Sequence, residues 1–370
     1  MDAGDNRDAI DEIFRRVVSE NRHGWRFDAG NLAPDSGLRT ILERHRNDAE
    51  RWLEDVRARH APRMGPVHFD YVENRAINAV AFEAERHEFV GIWVGAMASI
   101  YSFFGCLLAD PHFLPTIGDI SAEAQFEEAS DEVAWLIRTP NDPARKSYAH
   151  LLSTLAVEFL FRHELGHLMN GHVKLLGQRH LSNFIVEFEE PGAHGLSSLE
   201  RQTLEMDADS FAVGIGMATV LGRLSEPDRI FPQHWRQWYS SPRQALYTWL
   251  LSINVLFHLL YNGPVNLDDL ESKPHPPPAI RMLMVESTVY EFLRMQSRDD
   301  LLAEFEAIVE EAIHTALAAY ALVTGSSPDL TGWLQATDPR SSALISRLTA
   351  NWKTIRPQLE PLNRGGRLAD

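Results

Sequence analysis

Residues 161–173 read FRHELGHLMNGHV, with three histidines around one glutamate. His163 and His167 are four apart, so on a helix they stack on one face, about 6 Å from each other, and can point an imidazole nitrogen at the same metal ion. Glu164 projects about 100° round from His163, which places its carboxylate beside a metal rather than on it, where it can accept a proton from water. The H-E-x-x-H spacing therefore supplies two ligands and a general base. Two ligands do not make a site, and an ordinary charged helix face can produce the same letters. The neighbours Leu165, Gly166 and Leu168 point instead to a buried helix.

The third ligand must come from elsewhere. One class of zinc enzymes reads H-E-x-x-H-x-x-G-x-x-H, which would require Gly at 170 and His at 173; here those positions are Asn170 and Val173. His172 is one place out, which turns a side chain by about 100°, so it is read as a helix-end residue or a support for a ligand. The stretch LEMDADSFA, 204–212, offers a better donor. Glu205 and Asp209 share a helix face, while Asp207 points to nearly the opposite side. If this helix crosses the first, Glu205 completes a His2Glu set with the fourth position open, as in a catalytic zinc (Zn2+) site. Asp209, one turn on, can then accept the second ring N–H of His163 and fix its tautomer. Small Ala208 and Ala212 would let the two helices approach closely.

HELGH followed by E-x-x-A-D resembles the gluzincin zinc metallopeptidases, particularly the compact HtpX-like and CAAX-prenyl-endopeptidase-like group and its soluble relatives. Asn78-Ala79-Val80-Ala81 looks like that group's Asn-Ala-x-Ala strand, and His275-Pro276 with Arg281 looks like its His-Pro and Arg element. The wording HELGHLMNGH is also similar to phage-related peptidases of the Lit and ImmA/IrrE types. The resemblance spans roughly 67–290 and implies a minigluzincin-like core that hydrolyses peptide bonds in a protein or peptide substrate. It implies zinc as cofactor, with Glu164 as the base that activates water, and it places His275 near the metal as the leading oxyanion donor; Tyr261, Tyr290 and Arg281 are weaker ones. It further implies that the strands of 77–95 offer an edge for an extended substrate, and it suggests site-specific cleavage in a phage or stress response. The alternative is a zinc-binding regulator or pseudo-peptidase that acts by binding a partner.

The elements that must position these residues follow from local signals. Asn141-Asp142-Pro143 starts a helix, with Asp142 as N-cap and Pro143 in its first turn, and Gly171 sits where a left-handed residue ends it. Ser197 and Glu200 form a capping box that opens the helix of Glu205. INAVAFEA (77–84) and FVGIWVG (89–95) are strand-like around the charged ERHE, which reads as a hairpin or two adjacent strands. A helix should follow, ending before Asp110-Pro111. NFIVEFEE (183–190) reads as a short strand, EAQFEEASDEVAWLIR (123–138), 243–261 and 301–323 as helices, and WRFDAGNLAPDSG (25–37) as a loop. The fold class is mainly α with a small β-sheet (α+β): residues 1–64 form an N-terminal helical extension, 65–298 the metallopeptidase domain, and 299–370 a C-terminal helical extension.

Whole-chain composition narrows the classes. The 370 residues carry a formal net charge of −17, which argues against nonspecific nucleic-acid binding. Cys106 is the only cysteine, so neither an intrachain disulfide nor a Cys-rich zinc site is available. The charged start MDAGDNRDAIDEIF lacks the order of a signal peptide, and a cytoplasmic protein is expected. The uncharged runs 89–109 and 245–261 read as a strand with a buried helix and as a core helix, so membrane insertion is not expected. His68, His87, His180, His194, His234 and His258 have no ligand partner at helical spacing and are read as structural.

Overall fold

A computed structural model describes residues 3–21, 23–60, 66–125, 139–181, 183–186, 196–230, 232–260, 267–270, 272–273, 275–325, 331–366 and 368. In chain order these form α1 (Ala3–Glu20), β1 (Trp25–Arg26), α2 (Gly37–His60), β2 (Val67–Glu73), β3 (Ala79–Ala84), β4 (His87–Trp93), α3 (Val94–Leu108), α4 (Pro143–Met169), α5 (His172–Gln178), β5 (Phe184–Val186) and α6 (Ser198–Ser225). Then come α7 (Pro242–Leu260), α8 (Pro278–Met295), α9 (Asp299–Leu302), α10 (Phe305–Thr324), α11 (Thr331–Ala336) and α12 (Pro339–Leu359). The chain is thus mainly helical with one small mixed sheet, as expected. Most of the helix 123–138 and the turn 191–195 lie outside the described residues, as do Tyr261 and His194.

The sheet runs in the order β1-β2-β4-β3-β5, antiparallel except where β2 pairs β4 in parallel. Its strands are apolar at successive positions because both faces are covered. Val80, Phe82, Phe89 and Phe184 pack under Ile13, Phe14 and Val17 of α1, whereas Ala79, Ala81, Val90 and Ile92 face the main helical core. That division explains FVGIWVG, and it accounts for the run 89–109 as β4 followed by the buried α3. The segment expected as an N-terminal extension shares both cores: α1 covers one sheet face, and Leu42 and Leu53 of α2 enter the other.

ERHE is a hairpin, with Glu85 (φ 49°) and Arg86 (φ 69°) both left-handed, the conformation of a two-residue turn whose twist matches its strands. Two strands were not anticipated. β1 has only two residues and lies within the expected loop. β2 carries Asp70 at a buried position, and its charge is tolerated because Arg26 and Arg46 both pair with it. The pairing also corrects the expected free edge: β4 is interior, and the outer side of β3 is taken at Val80–Phe82 by β5.

α4 is buried almost all round, its charged side chains included, and these are partnered: Arg162 pairs with Glu158, and Arg145 donates to the carbonyls of Leu108 and Ile117. Asp142 caps it by accepting from the N–H groups of Ala144 and Arg145, a contribution of about 1 kcal/mol. It ends at Gly171, whose φ of 84° suits a residue without Cβ. α6 begins at the expected capping box, with Ser197 and Glu200 bonded reciprocally, and crosses α4. At the crossing, a Cβ on Gly166 would stand 3.2 Å from Ala208 Cα and 3.2 Å from Phe211 Cδ1, so the glycine sets how near the two helices come.

Among the described residues, one helix, Phe305–Thr324, is long and apolar enough to cross a membrane by length and composition. It is not one of the two runs singled out in the sequence. Its inner stripe of Ile308, Ala312, Ala316 and Ala319 lies in the main core, where α10 packs on α7.

Candidate metal centre

Three candidate ligands converge where α4 crosses α6. His163 and His167 face inward from α4, with their Nε2 atoms 3.1 Å apart. Glu205 of α6 brings Oε2 to 3.2 Å from His163 Nε2 and Oε1 to 3.7 Å from His167 Nε2. All three side chains are buried, and one donor atom from each lies within 4.8 Å of the others, so together they can hold a metal ion. Glu164 is fully buried on the same turn of α4.

The outer hydrogen bonds fix the protons. His163 Nδ1 is 2.8 Å from Asp209 Oδ1 and must donate to it. Asp209 is held in turn by Arg281, whose Nε and Nη2 reach its two oxygens at 2.9 and 2.8 Å, a fork on a carboxylate. With Nδ1 protonated, Nε2 of His163 carries a lone pair. His167 also presents Nε2 to the centre, and neither Glu205 oxygen makes an aligned hydrogen bond. Lone pairs from two rings and a carboxylate therefore meet in one dry place, an arrangement that is repulsive unless a cation occupies it. Burial pushes the Glu205 carboxyl up, but positive charge on His275 and then on His167 outweighs burial and leaves it well below the ordinary carboxylate range.

No family model matches this chain, and comparison with curated proteins and with solved structures gives no significant match.

His163, His167, Glu205 and Asp209 stand together as the helical spacing predicts. His275, in the loop before α8, is buried, with Nδ1 3.4 Å from Glu205 Oε2. Arg281, a weaker candidate for the oxyanion, is instead committed to Asp209 and stacks over Phe257. Tyr290 is 43% exposed, with its ring against Phe305, two and a half turns along α8 from Arg281.

His172 takes the supporting place read for it from its spacing, whereas Asp207 takes one that helical geometry did not foresee. His172 is no ligand of the centre: its Nδ1 lies 2.9 Å from His167 Nδ1, the ring nitrogen that faces away from Glu205. Asp207, expected on the far side of α6, is 5% exposed and accepts from Asn170 Nδ2 at 2.6 Å and from His172 Nε2 at 3.0 Å. On a continuing helix, His172 would sit about 140° round from His167. The left-handed Gly171 ends α4, and the chain's turn into α5 brings the ring back. The sequence signal was Gly171 itself, which makes helical counting across it invalid.

Proposed function

We propose that the chain is a zinc-dependent endopeptidase with a compact gluzincin-like core, and that it hydrolyses peptide bonds in a protein or peptide substrate. The observation that carries this reading is the convergence of the His163, His167 and Glu205 lone pairs, with a carboxylate, Glu164, one residue from the first ligand. Two imidazole nitrogens and one carboxylate form the donor set of a catalytic zinc with an open position. When bound there, zinc supplies Lewis acidity and lowers the pKa of water towards about 7.

The chain's own residues do the rest. Asp209 and Arg281 hold His163 in the tautomer that offers Nε2. Glu164 accepts the proton of the attacking water and returns it to the leaving amine. His275, beside Glu205, donates to the oxygen that becomes negative as the carbonyl is attacked. A purely structural zinc would need no such base, so Glu164 favours an enzyme over the zinc-binding regulator.

The test is comparative terminal proteomics of cells expressing the native chain and Glu164→Gln, with zinc content measured in both purified proteins. The expected result is equal zinc, with new protein termini only in the native sample and a loss of turnover of about 100-fold or more in the variant. Undiminished cleavage by pure Glu164→Gln would remove Glu164 from the mechanism. Zinc without cleavage in either form would favour the regulator.

A further inference from the structure

The two histidines of the centre are supported in different ways. His163 meets a carboxylate directly, whereas His167 meets a second imidazole, and only that imidazole meets a carboxylate. We propose that His172 and Asp207 form a positioning relay that sets the tautomer and ring plane of His167 for metal binding. This rests on the metal-site reading above.

Only one arrangement of protons satisfies the contacts. His167 must keep its Nε2 lone pair for the metal, so its proton lies on Nδ1 and is donated to His172 Nδ1. His172 must then accept at Nδ1 and carry its own proton on Nε2, which faces Asp207 Oδ2. Asp207 ends the chain as an acceptor only, and Asn170 Nδ2 donates to the same oxygen. The reverse tautomer of His172 would set two N–H groups against each other at 2.9 Å and leave Asp207 without the donor from His172. All members are buried, with His172 at 0% exposure, so water does not substitute for any of them. The rings of His167 and His172 meet edge to face, with centroids 5.1 Å apart.

The relay is tested by the zinc affinity of the metal-free full chain, measured by competition with a chromophoric chelator for the native protein, His172→Phe, His172→Asn and Asp207→Asn. Thermal unfolding of each metal-free form is recorded alongside. His172→Phe removes the acceptor but keeps a ring, and affinity should fall about 10- to 100-fold, as for other outer-sphere partners of ligating histidines. His172→Asn returns an amide oxygen to accept from His167 and should recover most of that loss, to within about threefold of native. Asp207→Asn keeps an acceptor without the charge and should weaken binding by at least about threefold.

Equal affinity in His172→Phe and native would overturn the relay, as would equal losses in His172→Phe and His172→Asn, which packing alone would give. If His172→Phe does not fold, unchanged affinity in Asp207→Asn overturns it. A native chain that binds no zinc fails the metal-site reading itself, and the relay with it, which distinguishes that failure from the others.

Discussion

Glu164 and Glu205 carry the same carboxylate, and what faces each one assigns its role. Glu205 looks into two imidazole nitrogens and His275, which places it to ligate a metal; Glu164 stands beside them on the same turn as His163. The same logic applies to Arg281, which a sequence reading offers as an oxyanion donor and which the fold commits to Asp209. Replacing Arg281 by Met should leave Asp209 as an uncompensated buried charge, costing about 3–5 kcal/mol of stability. Zinc affinity should drop about tenfold as His163 loses its fixed partner. Thermal unfolding and chelator competition check the two effects separately, and a variant unchanged in both would show that Asp209 needs no counter-ion. Most ligands were legible in the sequence because each pair lies within one regular helix, where a spacing of four has a fixed meaning. His172 was legible as a support rather than a ligand, but its partner Asp207 was not, because the turn at Gly171 that brings the two together cannot be counted as helix.

At the scale of elements, the site exists because α4 and α6 approach closely enough for Glu205 to reach the histidines. Gly166 sets that distance, and Gly166→Val should force the helices apart, weakening zinc binding as well as lowering the unfolding temperature. A loss of stability with native zinc affinity would mean that the crossing does not control the site. The capping signals at Asp142 and Ser197 were legible because a cap is a local hydrogen bond. β2 and the capture of the β3 edge by β5 were hidden, because they depend on Arg26 and Arg46 neutralising Asp70 and on pairing across more than a hundred residues. Among the described residues the sheet consequently ends on β5 rather than on β3.

α8 carries a separate, pH-dependent cost. Burial pushes the Glu286 carboxyl up to about 8. Between its unfolded value of about 4.5 and that figure, the folded chain holds a proton that the unfolded chain has lost, so stability falls as pH rises, by at most about 1.4 kcal/mol per unit, and levels off above about 8. Glu286→Gln should flatten this slope and raise the unfolding temperature at pH 8; an unchanged pH profile would mean that Glu286 titrates normally.

Over the whole molecule, segments distant in sequence close around α4. The backbone N–H groups of Arg364 and Gly365 donate to Met169 O at 2.7 and 3.1 Å, while the Arg364 side chain reaches Leu168 O and Glu88. The last residues thus satisfy carbonyls that the end of α4 leaves open. Such a contact, almost two hundred residues long in sequence, has no local signature, which is why the C-terminal segment could be read as helical and no more. What all these elements hold in place is one small cluster of donors, and its occupancy is the claim on which the account depends. Anomalous diffraction across the zinc absorption edge, from crystals of the full chain grown with zinc, tests it most directly. The account predicts a single peak about 2.0–2.2 Å from His163 Nε2, His167 Nε2 and a Glu205 oxygen, with His172 and Asp209 outside the coordination sphere. No peak there, or one in which His172 replaces Glu205, would contradict it.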